Sequence, residues 1–231
     1  MWTENSRAWM NEIKPYNTHV MKLAPRKACL LVIDMQNEFL AEDGAVFFHY
    51  ATEIIPNVRR VIAAARRASI PVFFTGHAHE NPAVDGGFTA WWWPEIKRGE
   101  SLIAGTRGTR IHSGITRHKD ERIIWKHRYS AFYGTDLEIA LRGTGATDLI
   151  ITGVLTNVCC ESTARDAFFR DFRVFFVADA TATTEPELHV ASLKNLAYAF
   201  AYVVPTGEII RQIARSPHRG PRRNPRRRPR R

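Results

Sequence analysis

Five short apolar runs punctuate the chain: CLLVI at Cys29 to Ile33, PVFF at Pro71 to Phe74, RIIW at Arg122 to Trp125, LIIT at Leu149 to Thr152 and RVFFVA at Arg173 to Ala178. AYVVPT, Ala201 to Thr206, makes a sixth. Runs without polar alternation suit strands covered on both faces, as in a parallel sheet. Between them the period changes to that of a helix. Ile55, Val58, Val61, Ile62 and Ala65 line one face with arginines on the other. Asp136 is positioned to cap a helix through Leu137, Ile139, Ala140 and Leu141 that ends at Gly143, and Glu187 to Phe200 is a further amphipathic stretch. This alternation predicts a doubly wound, mostly parallel six-stranded α/β sheet with helices on both faces.

The order breaks between His77 and Glu121, a stretch rich in Gly, Pro and Trp. A connection of that length in a doubly wound sheet is expected to lie over the carboxyl ends of the strands as a lid or pocket wall. Trp91, Trp92 and Trp93 within it admit two readings, pocket lining or packing in the core or a dimer contact.

The 231 residues, 45% apolar and 24% charged, suit one α/β domain. The formal charge of +10 raises nucleic-acid binding, and its position answers the question. Ten of the 33 basic residues fall between Arg211 and Arg231, where there is no acid; the first 210 residues carry 23 of each sign. The expected organisation is therefore an N-terminal extension (1–27), a domain (28–210) containing the 77–121 segment, and a disordered Arg/Pro-rich tail (211–231). Such a tail binds phosphate backbones non-specifically at most. Cys29, Cys159 and Cys160 make no disulfide framework, and there is neither a signal-peptide core nor an 18-residue apolar run. The expectation is a cytoplasmic protein that does not enter a membrane.

Candidate chemistry centres on LIITGVLTNVCCESTARDAFFRDF, which reads as strand, turn and helix. Gly153 falls in the turn, Thr156 or Asn157 is placed to cap, and both thiols fall in the first helical turn. There the partial positive charge of unpaired amides is expected to lower a thiol pKa. Helical spacing separates the two cysteines. Cys160 shares a face with Ala164, Ala167 and Phe168 and is expected in the core; Cys159 aligns with Thr163, Asp166 and Arg170, a face able to open toward a cleft. Cys159 is thus the candidate nucleophile, against the reading of both as small core residues. Asp34 closes the first apolar run and Lys126 follows RIIW. If strands one, three and four are near neighbours, these groups converge, Asp34 taking the thiol proton and Lys126 stabilising the charge.

LLVIDMQNEF, WKHRYSAFYGTDLEIALRGTGATDLIITGV and TNVCCESTARDAFF resemble the isochorismatase-like cysteine hydrolases, from about Ala28 to Thr206. The resemblance implies a Rossmann-like fold, a triad of Asp34, Lys126 and Cys159, and a cis peptide between Val154 and Leu155 that aims the Leu155 and Cys159 N–H groups at an oxyanion. It further implies a homo-oligomer, dimer or tetramer, acting on a small molecule without a cofactor. Isochorismatases proper have glycine where Cys159 stands, so the thiol argues for hydrolysis of a linear amide or ureido/carbamoyl compound through a thioester. KHRYSAF with TNVCCEST looks most like the ureidoacrylate amidohydrolase and N-carbamoylsarcosine amidase branch. Nicotinamidases of this family bind a metal through an Asp-x-His pair after the second strand. His77 and His79 occupy that stretch here, with Glu80 or Asp85 as further donors, and pocket lining is the competing reading. Gln36, Phe39, Tyr129 and Trp92 are candidate substrate contacts; Arg128 either holds a substrate carboxylate or pairs with an acid. Vinyl-ether hydrolysis and metal-assisted amide hydrolysis are the rival activities.

Overall fold

The computed structural model describes residues 2–215. All six strands are parallel: β1 (Ala28–Ile33), β2 (Val72–His77), β3 (Ile123–Lys126), β4 (Asp148–Val154), β5 (Arg173–Ala182) and β6 (Tyr202–Val204), in the order β3-β2-β1-β4-β5-β6. β1, β2 and β4 are buried along their whole length, as continuous apolar runs require. Three strands outrun their apolar cores. β2 continues to His77, whose N–H donates to Gln36 Oε1 at 2.8 Å. β4 continues to Val154, with Gly153 opposite Ile33 of β1, and β5 reaches Ala182, pairing with β4 again beyond a register shift.

The helices are α1 (Ser6–Ile13), α2 (Asn37–Leu40), α3 (Tyr50–Glu53), α4 (Ile55–Arg67), α5 (Pro82–Asp85), α6 (Gly87–Trp92), α7 (Pro94–Lys97), α8 (Leu137–Thr144), α9 (Glu161–Phe168), α10 (Pro186–Ala199) and α11 (Thr206–Ala214). Strand order runs one way from β1 to β3 and the other way from β4 to β6, so right-handed crossovers place α4 on one face and α9 and α10 on the other. The packing follows: α4 and α11 meet, as do α9 and α10, and each group contacts β5. α4 buries Val58, Val61, Ile62 and Ala65 as its period predicts. Asp136 does not cap α8. Its carboxylate pairs with Arg122, and the helix runs one residue past Gly143 to a left-handed Gly145.

Residues 2–27 of the N-terminal extension pack on the domain. Trp2, Trp9 and Ile13 are buried, and Trp2 Nε1 donates to Thr181 O at 3.0 Å. Asn17 bonds the backbone of Val203 through both ends of its amide, satisfying groups of the edge strand β6. At the other end α11 continues to Ala214, past position 210; the disorder and nucleic-acid contacts expected of the tail fall mostly on 216–231, outside the described residues. Among the described residues no helix is long and apolar enough to cross a membrane.

Candidate active site

β1 and β4 are neighbours whose onward connections leave in opposite directions, which opens the crevice of a doubly wound sheet at their carboxyl ends. Asp34 is the first residue after β1, Cys159 follows β4, and Lys126 is the last residue of β3. β3 is not adjacent to β1; β2 lies between them. The long lysine side chain spans the gap, and its Nζ lies 2.7 Å from Asp34 Oδ2 and 3.3 Å from Cys159 Sγ, with Arg128 O accepting from it at 3.0 Å. Asp34 has φ 49, a left-handed conformation uncommon for a residue with a side chain. Thr75 Oγ1 holds it there, accepting from its N–H at 3.1 Å and donating to its Oδ1 at 2.6 Å. Gly153 permits the close approach of β4: at φ 117, a Cβ would lie 2.0 Å from Ile33 O.

Thr156–Cys160 form a π-helical turn before α9, with Cys160 N–H donating to Leu155 O five residues back, and the Val154–Leu155 peptide is cis. Neither Thr156 nor Asn157 caps the helix. Thr156 Oγ1 meets His189 Nδ1 at 2.8 Å, and Asn157 Oδ1 accepts from Thr183 Oγ1 at 2.6 Å. These bonds tie the turn to α10 and to the strand-end of the neighbouring β5. Thr75, His189 and Thr183 escape a sequence reading because each is one polar residue whose partner is distant along the chain. The available signal was a lone threonine or histidine at the edge of an apolar run.

Burial reverses the expected effect of the helix terminus. Both thiols are buried, along with Thr163, so the face of Cys159 is closed over. Burial, with Asp34 adding to it and Lys126 opposing, pushes the Cys159 thiol up to about 12. Burial likewise drives Cys160 well above the thiol range. Cys160 shares its buried face with Ala164 and Ala167, whereas Phe168 is half-exposed. Burial alone would lower Lys126, but Asp34 and Cys159 more than offset it and hold the amine above its ordinary value.

The remaining candidates separate. Gln36 is wholly buried and engaged: its Nε2 donates to His77 O and Thr109 O, and its Oε1 accepts from His77 N–H. Its amide fastens β1 to β2, which leaves it no free group for a substrate. Phe39 is packed into the core. Tyr129 is half-buried and its hydroxyl accepts from Trp93 Nε1 at 2.8 Å. Trp92 is 59% exposed beside Trp91 and Phe88. Arg128 Nη1 is taken up by the carbonyls of Asp85 and His127.

His77 and His79 part company. His77 shares a cluster with Asp34 and Cys159, their donor atoms within 4.8 Å of one another; His79 does so with Asp85 and His127. Nε2 of each of His77 and His79 is buried without a hydrogen-bond partner. Two imidazoles and a carboxylate match the donor set of a divalent transition metal.

Residues 28–208 match the family model for the isochorismatase domain. The chain belongs to the isochorismatase family. It is 40% identical to Nicotinamidase 3 of Arabidopsis thaliana over 202 residues, 87% of this chain and 96% of that one. To the ureidoacrylate amidohydrolase RutB of Serratia proteamaculans (strain 568) it is 33% identical over 208 residues, 82% of this chain and 84% of that one. Its fold matches the crystal structure of a cysteine hydrolase from Pseudomonas syringae pv. phaseolicola 1448A with a TM-score of 0.80 and 28% identity, covering 84% and 96% of the two chains. Within the family, the relative named for nicotinamide is thus more similar than the ureidoacrylate amidohydrolase to which KHRYSAF and TNVCCEST point.

Proposed function

We propose that this chain is a cysteine-dependent amidohydrolase that cleaves the C–N bond of a small linear amide or ureido/carbamoyl compound through a thioester acyl-enzyme. The observation that carries the reading is one buried ammonium, Lys126 Nζ, between a carboxylate at 2.7 Å and a thiol at 3.3 Å.

With its pKa at about 12, Cys159 rests as the thiol. As sulfur attacks the carbonyl carbon its proton passes to Asp34, whose donor oxygen lies within 4.8 Å of the thiol sulfur. Lys126 keeps its proton and stabilises the charge that develops on sulfur. The N–H groups of Leu155 and Cys159 are the donors proposed for the oxyanion. Asp34 returns the proton to the departing nitrogen, and water, deprotonated by Asp34, cleaves the thioester. No step of this sequence runs through a metal; a divalent cation held by His79, Asp85 and His127 would supply Lewis-acid polarisation of a group bound to it. A cytoplasmic dimer or tetramer belongs to the same reading.

Aromatic carboxamides form the second substrate class, favoured by the 40% identity to Nicotinamidase 3. Ammonia release from a panel of ureides, linear amides and nicotinamide tests both classes with the wild type and Cys159→Ala. Turnover of one class by the wild type, lost in Cys159→Ala, is the expected outcome. Retention by Cys159→Ala, or activity toward vinyl ethers alone, overturns the proposal.

A further inference from the structure

We propose that residues 2–17 of the N-terminal extension are a working part of the active site: through His189 they position the turn that carries Cys159. The proposal takes Cys159 as the nucleophile of the reading above, and on it His189 is a positioning residue. The extension lies outside residues 28–208, which match the family model, yet Trp2 and Trp9 are buried as deeply as the sheet. Burial of two indoles would be satisfied by packing them anywhere on the domain. What assigns them a role is the ring they pack against.

The route from the extension to the sulfur is short. α1 meets α10, the helix on which His189 stands, and Glu12 of α1 pairs with Lys194 of α10 at 2.6 Å. The indoles of Trp2 and Trp9 lie against the His189 ring, with centroids 4.6 and 4.4 Å away. His189 Nδ1 in turn meets Oγ1 of Thr156, the first residue of the turn, at 2.8 Å. The opposite nitrogen, Nε2, is buried without a hydrogen-bond partner. An imidazole held by one hydrogen bond can pivot about it, so packing has to fix its plane, and the two indoles supply that packing. Trp2 makes a second tie: its Nε1 donates to Thr181 O at 3.0 Å, and Thr181 pairs with Gly153 near the end of β4, the strand that leads into the turn. Misplacing a reacting group by about 1 Å can cost about 100-fold in rate, which is the lever the extension holds.

The test compares variants of the full chain in a Cys160→Ala background, so that alkylation within the turn reports Cys159 alone. Trp9→Ala and His189→Leu break successive links. Asn17→Ala is the control, since the Asn17 amide bonds Val203 of β6 rather than α10 or the turn. Without substrate, iodoacetamide should alkylate Cys159 at least about tenfold faster in Trp9→Ala and His189→Leu than in the parent, because a loosened turn admits water and reagent to a buried thiol. Asn17→Ala should match the parent, and Trp9→Phe should restore its rate. On an amide that the parent hydrolyses, the same two variants should lose at least about tenfold in kcat with KM within about twofold. Far-UV dichroism checks each fold, and His189→Leu carries the test if Trp9→Ala does not fold. Alkylation or kcat within about twofold of the parent in the folded variants, or an equal change in Asn17→Ala, overturns the proposal and leaves the extension a stabilising element alone. Alkylation needs no turnover, so a parent that hydrolyses no amide refutes the acyl-transfer reading, and the positioning role is then decided by the alkylation rates.

Discussion

The strand ends that carry Asp34, Lys126 and Cys159 differ from the connection between β2 and β3 in how their side chains are held. At the strand ends each of the three candidate catalytic groups is fully or almost fully buried and fixed by neighbours on other elements: Thr75 on Asp34, Asp34 and Cys159 on Lys126, His189 and Thr183 on the turn that carries Cys159. The connection begins with three short helices, on which Phe88, Trp91 and Trp92 are each more than half exposed, and continues without helix or strand to β3. A parallel sheet fixes the reacting atoms because its hydrogen bonds set the position of each strand end. In the connection the helical part, 82–97, has no strand pairing among the described residues, and residues 102–112 are tied to the strand ends by backbone hydrogen bonds with His79, Met35, Asn37 and Glu38. On the proposed reading, chemistry belongs to the first region and selection of substrate to the second.

Lys126→Met should break this contrast most severely. It leaves Asp34 as a buried carboxylate without its cation, and breaking a buried pair costs about 3–5 kcal/mol. Chemical denaturation should show that loss together with loss of turnover; a variant as stable as the wild type would mean that Asp34 finds another partner.

Next in size is a pH effect at the nucleophile turn. Burial lowers His189 to about 3, from 6.5 when exposed. The unfolded chain therefore takes up a proton that the folded chain refuses. The stability from this group is complete above pH 6.5 and declines as pH falls toward 3. Between pH 7 and pH 5 the loss is about 2 kcal/mol. Urea melts of the wild type and His189→Gln at the two pH values check it: the difference between pH 7 and pH 5 should shrink by that amount in the variant, whatever its absolute stability.

Cys160→Ala sharpens the comparison within a single turn. Removing a buried sulfur that the proposed reaction does not use should cost about 1–2 kcal/mol and leave turnover within a few-fold. Iodoacetamide provides the complementary measurement. With Cys159 at about 12 and buried, its alkylation in the substrate-free protein near pH 7 should be slower than that of a free cysteine. Faster reaction would mean that the site opens in solution.

The sheet was legible because each buried strand must be an unbroken apolar run, and LLVID, RIIW and LIIT announced both the strands and the residues that end them. Asp34 stood out as a carboxylate at the close of such a run. Helical spacing placed Cys160 in the core and also suggested an open face for Cys159; it misjudged that face because the segment after β3 packs on it, Ala131 N–H donating to Thr163 Oγ1 and Ser130 Oγ to Asp166 Oδ2, and spacing along one helix carries no information about what packs on it. The thiol pKa failed for a related reason. Desolvation of a buried sulfur outweighs a helix terminus, and depth is a property of the whole fold. Gln36 lay beside Asp34 in sequence, yet its amide is consumed by the backbones of His77 and Thr109. The partition of His77 from His79 depends on His127, fifty residues from one and forty-eight from the other, and no local pattern joins them.

The smallest expected effect comes from the connection. Trp92 is 59% exposed and contacts only its aromatic neighbours Phe88 and Trp91 among the ring pairs of the described residues. Its removal takes little apolar surface from the core, and surface substitutions of this kind change stability by about 0.5 kcal/mol or less. If the connection selects substrate, Trp92→Ala should raise KM or alter the ranking of a substrate panel while kcat on a good substrate stays within a few-fold, since no reacting group is touched. Should kcat fall instead and KM hold, the connection would be contributing to the geometry of the strand ends. The division between a rigid chemical region and a selective one would then have to be redrawn around the hydrogen bond from Trp93 to Tyr129, which ties the connection to the segment following Lys126.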